Sequence, residues 1–454
     1  MTAVSLFPRF VPGVRLAARE GNHLTLEIAN APPLRLKAPN AALADAVASL
    51  VDGGRTESDL AGAVADEGME SVARVHMYLS QLNERQLIGY DWAAGSARAF
   101  VEPRVPSFAF SRPPLAHGTR VVLSRFAYVR RDGDHFVLES PDALCRIVLQ
   151  TPCLLASVHR LAEAAPVHDE ALEPAADLLW QTGLLDDADR DAPPDERTWE
   201  FHDRLFHRRS RRGSDRSIIG GTYRFEHAFP APPLDKPPMS GDRIELARPD
   251  LDALARGEAL GSVMERRRSV RNMNDDRAIT IGDVGALLFR VARSQAPLPT
   301  PKQELMYRPV PGGGAVHELE FYVAVRLCDG LEPGLYHYQN GEHALYRLAA
   351  PQKDVDTLIG DAGDAMAQPD RPPQVLIVLA SRLPRLAWKY EGIAYRVTLL
   401  NAGVILQSLY LVATEMNLAC TAVGTGDSDA FARAAGVAAF AEVSVGEFAL
   451  GSRR

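Results

Sequence analysis

The stretch that most constrains this chain runs from Trp388 to Asp427, where no residue between Val397 and Thr414 is charged. A run of that length must be weighed as a membrane span, which needs about 20 apolar residues. Thr398, Asn401, Gln407 and Ser408 spread polar groups through it, and the chain has no second segment of the kind. The stretch therefore predicts a helix buried on all sides within a soluble protein. It opens with Lys389-Tyr390, two side chains that move protons when their pKa values are tuned. It closes with Gly424-Thr425-Gly426, a backbone bare enough to approach a ligand. Proton-handling residues, a buried helix and a glycine turn together point to a cofactor pocket.

The formal net charge of −8 gives no reason to expect a nucleic-acid or acidic-membrane partner. No secretory signal pattern follows Met1. Cys145, Cys153, Cys328 and Cys420 lack zinc-ligand spacing, so no metal is expected. They read as buried free thiols in a reducing cytoplasm.

A length of 454 residues suggests several domains. Residues 1–100 start with the alternating runs Leu24–Ile28 and Leu34–Leu36, read as strands. Helical patterns follow over Ala41–Val51, Glu57–Ala65 (with Thr56 as N-cap) and Val72–Leu82. Residues 115–190 repeat the plan. Arg120–Val129 reads as a strand, Asp132-Gly133 turns it into His135–Glu139, and helices follow at Pro152 and over Glu170–Gln181. Asn22–Glu27 lies over Asp134–Glu139, and Leu34–Leu36 near Cys145–Leu149, which suggests two copies of a strand-plus-three-helix module. Residues 191–238, rich in Pro, Asp and Arg, read as a linker or docking arm that holds the aromatic and basic helix Trp199–Gly213. Residues 239–454 form one α+β domain with helices Ile281–Ala292, Val397–Thr414 and Asp429–Ala435 and strands Glu318–Arg326, Val375–Leu379 and Val443–Leu450.

Within that domain Arg267, Arg268, Ser269 and Arg271 offer charge-assisted donors for a phosphate, although a basic run is also what a solvated face looks like. Pro311-Gly312-Gly313-Gly314 leaves backbone amides free to meet a flat ring or a phosphate; the alternative is a loop that needs positive φ. Asn401 and Gln407 would satisfy backbone or each other inside the helix. Arg453 would return to a phosphate if the strand Val443–Leu450 ends beside one.

R-R-S-x-R over Arg267–Arg271, the Pro-Gly loop before a strand, G-L-Y-H-Y over Gly334–Tyr338, then K-Y, a long helix and G-T-G resemble the FMN-dependent nitroreductase superfamily. More narrowly they resemble its SagB-type peptide dehydrogenases, the thiazole/oxazole (azoline) oxidases. The likeness covers about Trp199–Gly451, and the order of the motifs carries it more than any one of them. It implies that Arg267, Arg268, Ser269 and Arg271 hold the FMN phosphate and ribityl chain, that Pro311 to Gly314 approach the flavin, and that Lys389 and Tyr390 are the catalytic pair. Gly312 stands where the family often has Ser, so a hydroxyl contact to the flavin is in question. The N-terminal repeat resembles the winged-helix, PqqD-like peptide-clamp modules of some of these enzymes.

The resemblance implies an azoline oxidation. A proton leaves one ring carbon for a Lys389–Tyr390 base, a hydride leaves its neighbour for N5 of FMN, and dioxygen reoxidises the cofactor. Each member of the pair is expected to lower the other's pKa, so that the two titrate as a unit. The implied partners are a precursor peptide whose leader the N-terminal modules bind, a cyclodehydratase of the same pathway, and a second copy forming a homodimer with FMN at the interface. Two rivals remain: an NAD(P)H-dependent FMN nitro- or quinone reductase, and a leader-binding scaffold with an inactive flavin domain.

Overall fold

The computed structural model describes residues 6–29, 31–110, 112–116, 118–166, 173–211, 213 and 220–454, and the chain divides into two units, residues 1–217 and 218–454. In the second, Leu319–Val325 (LEFYVAV) and Val375–Ser381 (VLIVLAS) are buried at every residue, the pattern of strands covered on both faces. They lie in a seven-stranded sheet, in the order Arg243–Glu245, Ala344–Arg347, Gly334–Gln339, Leu319–Val325, Val375–Ser381, Val443–Gly451 and Ala419–Val423. Every neighbouring pair is antiparallel.

Helices cover both faces of the sheet. On one, Ile281–Ala292 and Ala394–Glu415 pack Leu287, Ile405 and Leu409 onto Phe321, Leu379 and Phe448. On the other, Gln352–Ala365 and Ser428–Ala435 pack Leu358 and Phe431 onto Tyr322, Val378 and Ala449. The starts follow local chemistry: Thr280 and Asp283 form a capping box at Ile281, and Asp427 accepts from the amides of Asp429 and Ala430.

The long helix spans Ala394–Glu415, close to its expected bounds, but it is not buried on all sides. By length and composition it could cross a membrane, and 39% of its most apolar window is buried. Asn401, Ala402, Ile405, Leu409 and Ala413 face the core, while Leu399, Leu400 and Val404 are exposed. The lack of charge removed the polar contrast that marks an outer face in sequence.

The first unit carries two meanders in series. Val14–Glu20, His23–Ile28 and Ala31–Lys37 form a three-stranded antiparallel sheet, followed by helices Ala41–Ala48, Glu57–Gly62 and Met69–Glu84. Tyr128–Asp132, His135–Glu139 and Cys145–Leu149 form the second meander, followed by helix Pro152–Arg160. The superposed segments Asn22–Glu27 and Asp134–Glu139 thus both enter the middle strand of a meander. Here the likeness ends. The second meander joins Leu6–Phe10, Ile88–Ala94 and Ala97–Pro103 in one six-stranded sheet through the pairing of Cys145–Leu149 with Ala97–Pro103.

The expected strand Arg120–Val129 is broken. Arg120–Leu123 pairs with Ala165–Pro166 and Leu185–Asp187, and a turn closed by Ala127 N–H to Ser124 O (2.8 Å) separates it from Tyr128. The expected helix Glu170–Gln181 is seen over Glu173–Gln181, since residues 167–172 lie outside the described residues. Helix Phe201–Arg209 lies in the aromatic and basic segment. Cys145, Cys328 and Cys420 are buried free thiols, but Cys153 is exposed because it sits in the first turn of Pro152–Arg160.

Candidate active site

Helix Leu383–Lys389 ends at Lys389, and Tyr390 follows in extended backbone. That break lets two side chains adjacent in sequence reach one place. Lys389 Nζ donates to Gly314 O at 3.0 Å, and its ammonium lies 5.4 Å from the centroid of the Tyr390 ring. Gly314 has φ +61°, which a glycine adopts without strain, and a Cβ there would stand 2.2 Å from Tyr390 Oη and 2.7 Å from Lys389 Nζ. The loop and the pair, far apart in sequence, therefore meet.

The other loop glycines are also filled by protein. A Cβ on Gly313 would stand 2.2 Å from Val397 Cγ1, and one on Gly312 would stand 2.8 Å from His317 Nδ1. Close packing by the chain itself thus accounts for glycine at these positions. Pro311 is exposed beside them.

Asn401 fixes the loop from the long helix. Its Oδ1 accepts from Gly313 N–H at 3.0 Å, and its Nδ2 donates to both oxygens of Glu318 at 3.0 and 3.2 Å. The buried Glu318 carboxylate, an acceptor only, sets which way the amide points. Asn401 therefore satisfies the glycine loop rather than Gln407, which is exposed on the outer face.

Burial lowers the Lys389 pKa. Burial, with a contribution from nearby Tyr223, raises that of Tyr390. The expected mutual lowering is absent: desolvation acts on both and disfavours the charged form of each, neutral amine for one and neutral phenol for the other. His317, which has a left-handed backbone (φ +51°), is lowered by burial and then by Arg308, to about 3.

The arginine motif gathers at the other end of the helix. Ser269 Oγ is 2.9 Å from Tyr410 Oη, which accepts from Ala422 N–H at 2.7 Å, and the Arg267 guanidinium lies 5.3 Å from the Tyr410 ring centroid. Val270 N–H donates to Cys420 O at 2.8 Å, and Met273 forms a bridge with Arg453, so the motif runs beside Ala419–Val423 and the last strand. Arg453 donates to Asn417 at 3.3 Å. Arg266 is paired with Glu258, but among the described residues Arg267, Arg268, Arg271 and Arg453 have no carboxylate partner. Arg267 and Arg453, both near Cys420, suit a phosphate, whereas Arg268 donates to the carbonyls of Glu265 and Arg267 at 2.8 Å each.

Gly424 and Gly426 follow Ala419–Val423. Gly424 faces open space, whereas a Cβ on Gly426 would stand 2.0 Å from Glu447 Oε1. Glu447 is 5% exposed, its Oε2 has no hydrogen-bond partner among the described residues, and burial raises its pKa to about 7. Tyr410 and Glu447 escaped the sequence reading. The one visible signal was an acid inside the otherwise apolar strand Val443–Gly451. Among the described residues no group of three or more His, Cys, Asp or Glu is placed to hold a metal.

This sheet, its helices and the order of its motifs define a nitroreductase-like domain: residues 264–452 match the nitroreductase family model. Residues 121–216 match the model of the cyanobactin oxidase ThcOx. A curated relative, MJ1384 of Methanocaldococcus jannaschii, named for a nitroreductase, is 27% identical over 184 residues, 40% of this chain and 85% of its own. A nitroreductase-like crystal structure from Anabaena variabilis is similar at TM-score 0.41 and 20% identity, over 59% of this chain and 50% of its own, so this chain spans half of that one. The Escherichia coli microcin synthetase McbBCD complex, solved with truncated pro-MccB17 bound, is similar at TM-score 0.33 and 17% identity, over 53% of this chain and 85% of that one.

Proposed function

We propose that the protein is an FMN-dependent dehydrogenase that oxidises thiazoline or oxazoline rings of a ribosomally made peptide to thiazole or oxazole. The observation that carries this reading is the bond from Lys389 Nζ to Gly314 O, with Tyr390 against the same glycine. It sets a desolvated amine at the glycine loop, where proton removal next to a flat cofactor requires one. Lowered by burial, Lys389 is neutral in a larger share of molecules and takes the proton from a ring carbon. Tyr390, raised, keeps its proton and orients the substrate by donating a hydrogen bond. His317, at about 3, is too weak a base to compete.

FMN, when bound, supplies the two-electron acceptor, and dioxygen regenerates it. The uncompensated Arg267, Arg268, Arg271 and Arg453, with Ser269, would hold its phosphate and ribityl chain, and Pro311 to Gly314 and the Gly424–Gly426 turn would border the ring. Asn401 and Tyr410 lie about 13 Å apart along the helix and half a turn round it. Within one chain the loop and the arginine motif thus meet the helix about two and a half turns apart. A homodimer that brings one copy's loop to the other's arginines would complete the site, and the exposed Leu399, Leu400 and Val404 suit such an interface.

The ThcOx match over residues 121–216 supports a peptide substrate. The N-terminal modules, PqqD-like and winged-helix in this reading, would take the leader as an added strand at a sheet edge, with a cyclodehydratase supplying the azoline in the cytoplasm. The test is Lys389→Ala assayed per bound FMN: flavin stays and azoline turnover falls by ~10²–10⁴-fold. Near-normal turnover per flavin would remove Lys389 as the base. A protein purified without flavin and unable to bind it would remove the whole reading.

A further inference from the structure

The stretch 191–238 reads in sequence as a linker or arm, yet residues 221–234 are fixed, point by point, to the helix that carries Lys389. Thr222 N–H and Tyr223 N–H both donate to Lys389 O, at 2.9 and 3.3 Å. The Tyr223 ring meets Trp388 edge-on at 5.7 Å, and Trp388 Nε1 donates to Phe229 O at 3.0 Å. Further along, Arg385 donates to Pro232 O, and Arg382 donates to Pro233 O at 2.8 Å and Leu234 O at 3.1 Å. Arg385 is 0% exposed and also donates to Val316 O, at 2.9 Å, and to Glu304 O. One buried guanidinium thus ties the end of the glycine loop to the strap, on the helix face that also carries Lys389, four residues on.

Tyr223 is the strained member. Its φ of +52° is a left-handed conformation that a bulky residue holds only when its surroundings impose it. Here they do: the two bonds to Lys389 O on one side, Trp388 on the edge, and Lys302 Nζ 4.6 Å from the ring centroid, itself paired with Glu226 at 2.7 Å. The neighbouring Gly221 lies so close that a Cβ there would stand 3.2 Å from Lys389 Cγ, so strap backbone covers the stem of the lysine.

We propose that the strap 221–234 is part of the active site and that Tyr223 is its positioning residue, anchoring the Lys389 backbone so that its amine stays against Gly314. This goes beyond the azoline-oxidation reading but rests on it for its kinetic consequence. The strap shields the lysine from water, and burial is what lowers Lys389. The titratable and charged groups around it are Tyr390 on its own segment, Tyr223 on the strap, Lys302 beyond the Tyr223 ring, and the Arg224–Glu391 pair at 3.8 Å.

The experiment uses the full-length protein as Tyr223→Ala, which loses the ring packing and keeps the disfavoured φ, and as Tyr223→Gly, which loses the packing but relieves the φ. The Lys389 titration is read directly by NMR after reductive ¹³C-methylation, assigned with Lys389→Arg, beside the pH profile of azoline turnover. The expected result is that Lys389 titrates at higher pH in both, moving towards the ordinary lysine value. The rising limb of the profile should move with it, and kcat at neutral pH should fall by ~10–100-fold with KM little changed. Tyr223→Phe, which keeps the ring, restores the Lys389 titration. An unchanged Lys389 titration in whichever variant folds overturns the positioning role. A shifted titration with an unmoved pH profile upholds it and instead overturns Lys389 as the base.

Discussion

Gly314→Ala probes the centre of the site most directly. The new Cβ would stand 2.2 Å from Tyr390 Oη, 2.7 Å from Lys389 Nζ and 3.1 Å from Tyr390 Cζ. The phenol oxygen must retreat by about 1 Å or more to reach ordinary contact, and the amine by somewhat less. Both are ends of long side chains, so they can yield without moving the backbone. The stability cost is then the left-handed φ of +61°, about 1–2 kcal/mol, plus the weakened Lys389–Gly314 bond, about 1 kcal/mol. Catalysis should suffer more, because a shift of ~1 Å in a reacting group costs ~10²-fold. Denaturation by urea reads the first effect, and azoline turnover per bound flavin the second. Gly313→Ala is the contrast: its Cβ would strike Val397 Cγ1 at 2.2 Å, on a branched side chain of the long helix that cannot withdraw. That variant should lose more stability and regain it with Val397→Ala. Wild-type turnover per flavin in a folded Gly314→Ala would refute the idea that the pair works from its place against the loop.

Arg267→Ala with Arg268→Ala should strip FMN while the fold persists, since two charge-assisted bonds are worth about 3 kcal/mol or more together, at least ~100-fold in affinity. Full flavin occupancy in the purified double variant would remove the phosphate assignment. Glu447→Gln should change how stability depends on pH. The folded carboxyl titrates at about 7 and the unfolded one near 4.5, so wild-type stability is fully present below about pH 4.5 and declines as pH rises through about 7. Denaturant melts should show the variant close to wild type at pH 5 and more stable by about 2–3 kcal/mol at pH 8; equal stability at both would mean that the Glu447 carboxyl is not held protonated.

Residues 318–326, 375–379 and 443–450 could be read as strands because their apolar runs are written locally, and the structure carries the last two on to Ser381 and Gly451. The sequence also determined the candidate residues, through the order of R-R-S-x-R, P-G-G-G, K-Y and G-T-G. Local pattern could not say which of them meet. Antiparallel sheet pairing and the crossing of helix Ala394–Glu415 bring Gly314 to Lys389 and Gly313 to Asn401, contacts between positions 75 and 88 residues apart. Nor could it say that an uncharged helix has one dry and one exposed face, since that asymmetry comes from what packs on it. The strap over Lys389 was least legible. Its hold comes from carbonyls at Lys389, Phe229, Pro232, Pro233 and Leu234, and every residue type has a carbonyl. Only tertiary structure decides which of those carbonyls a buried arginine, an indole or a backbone amide will find.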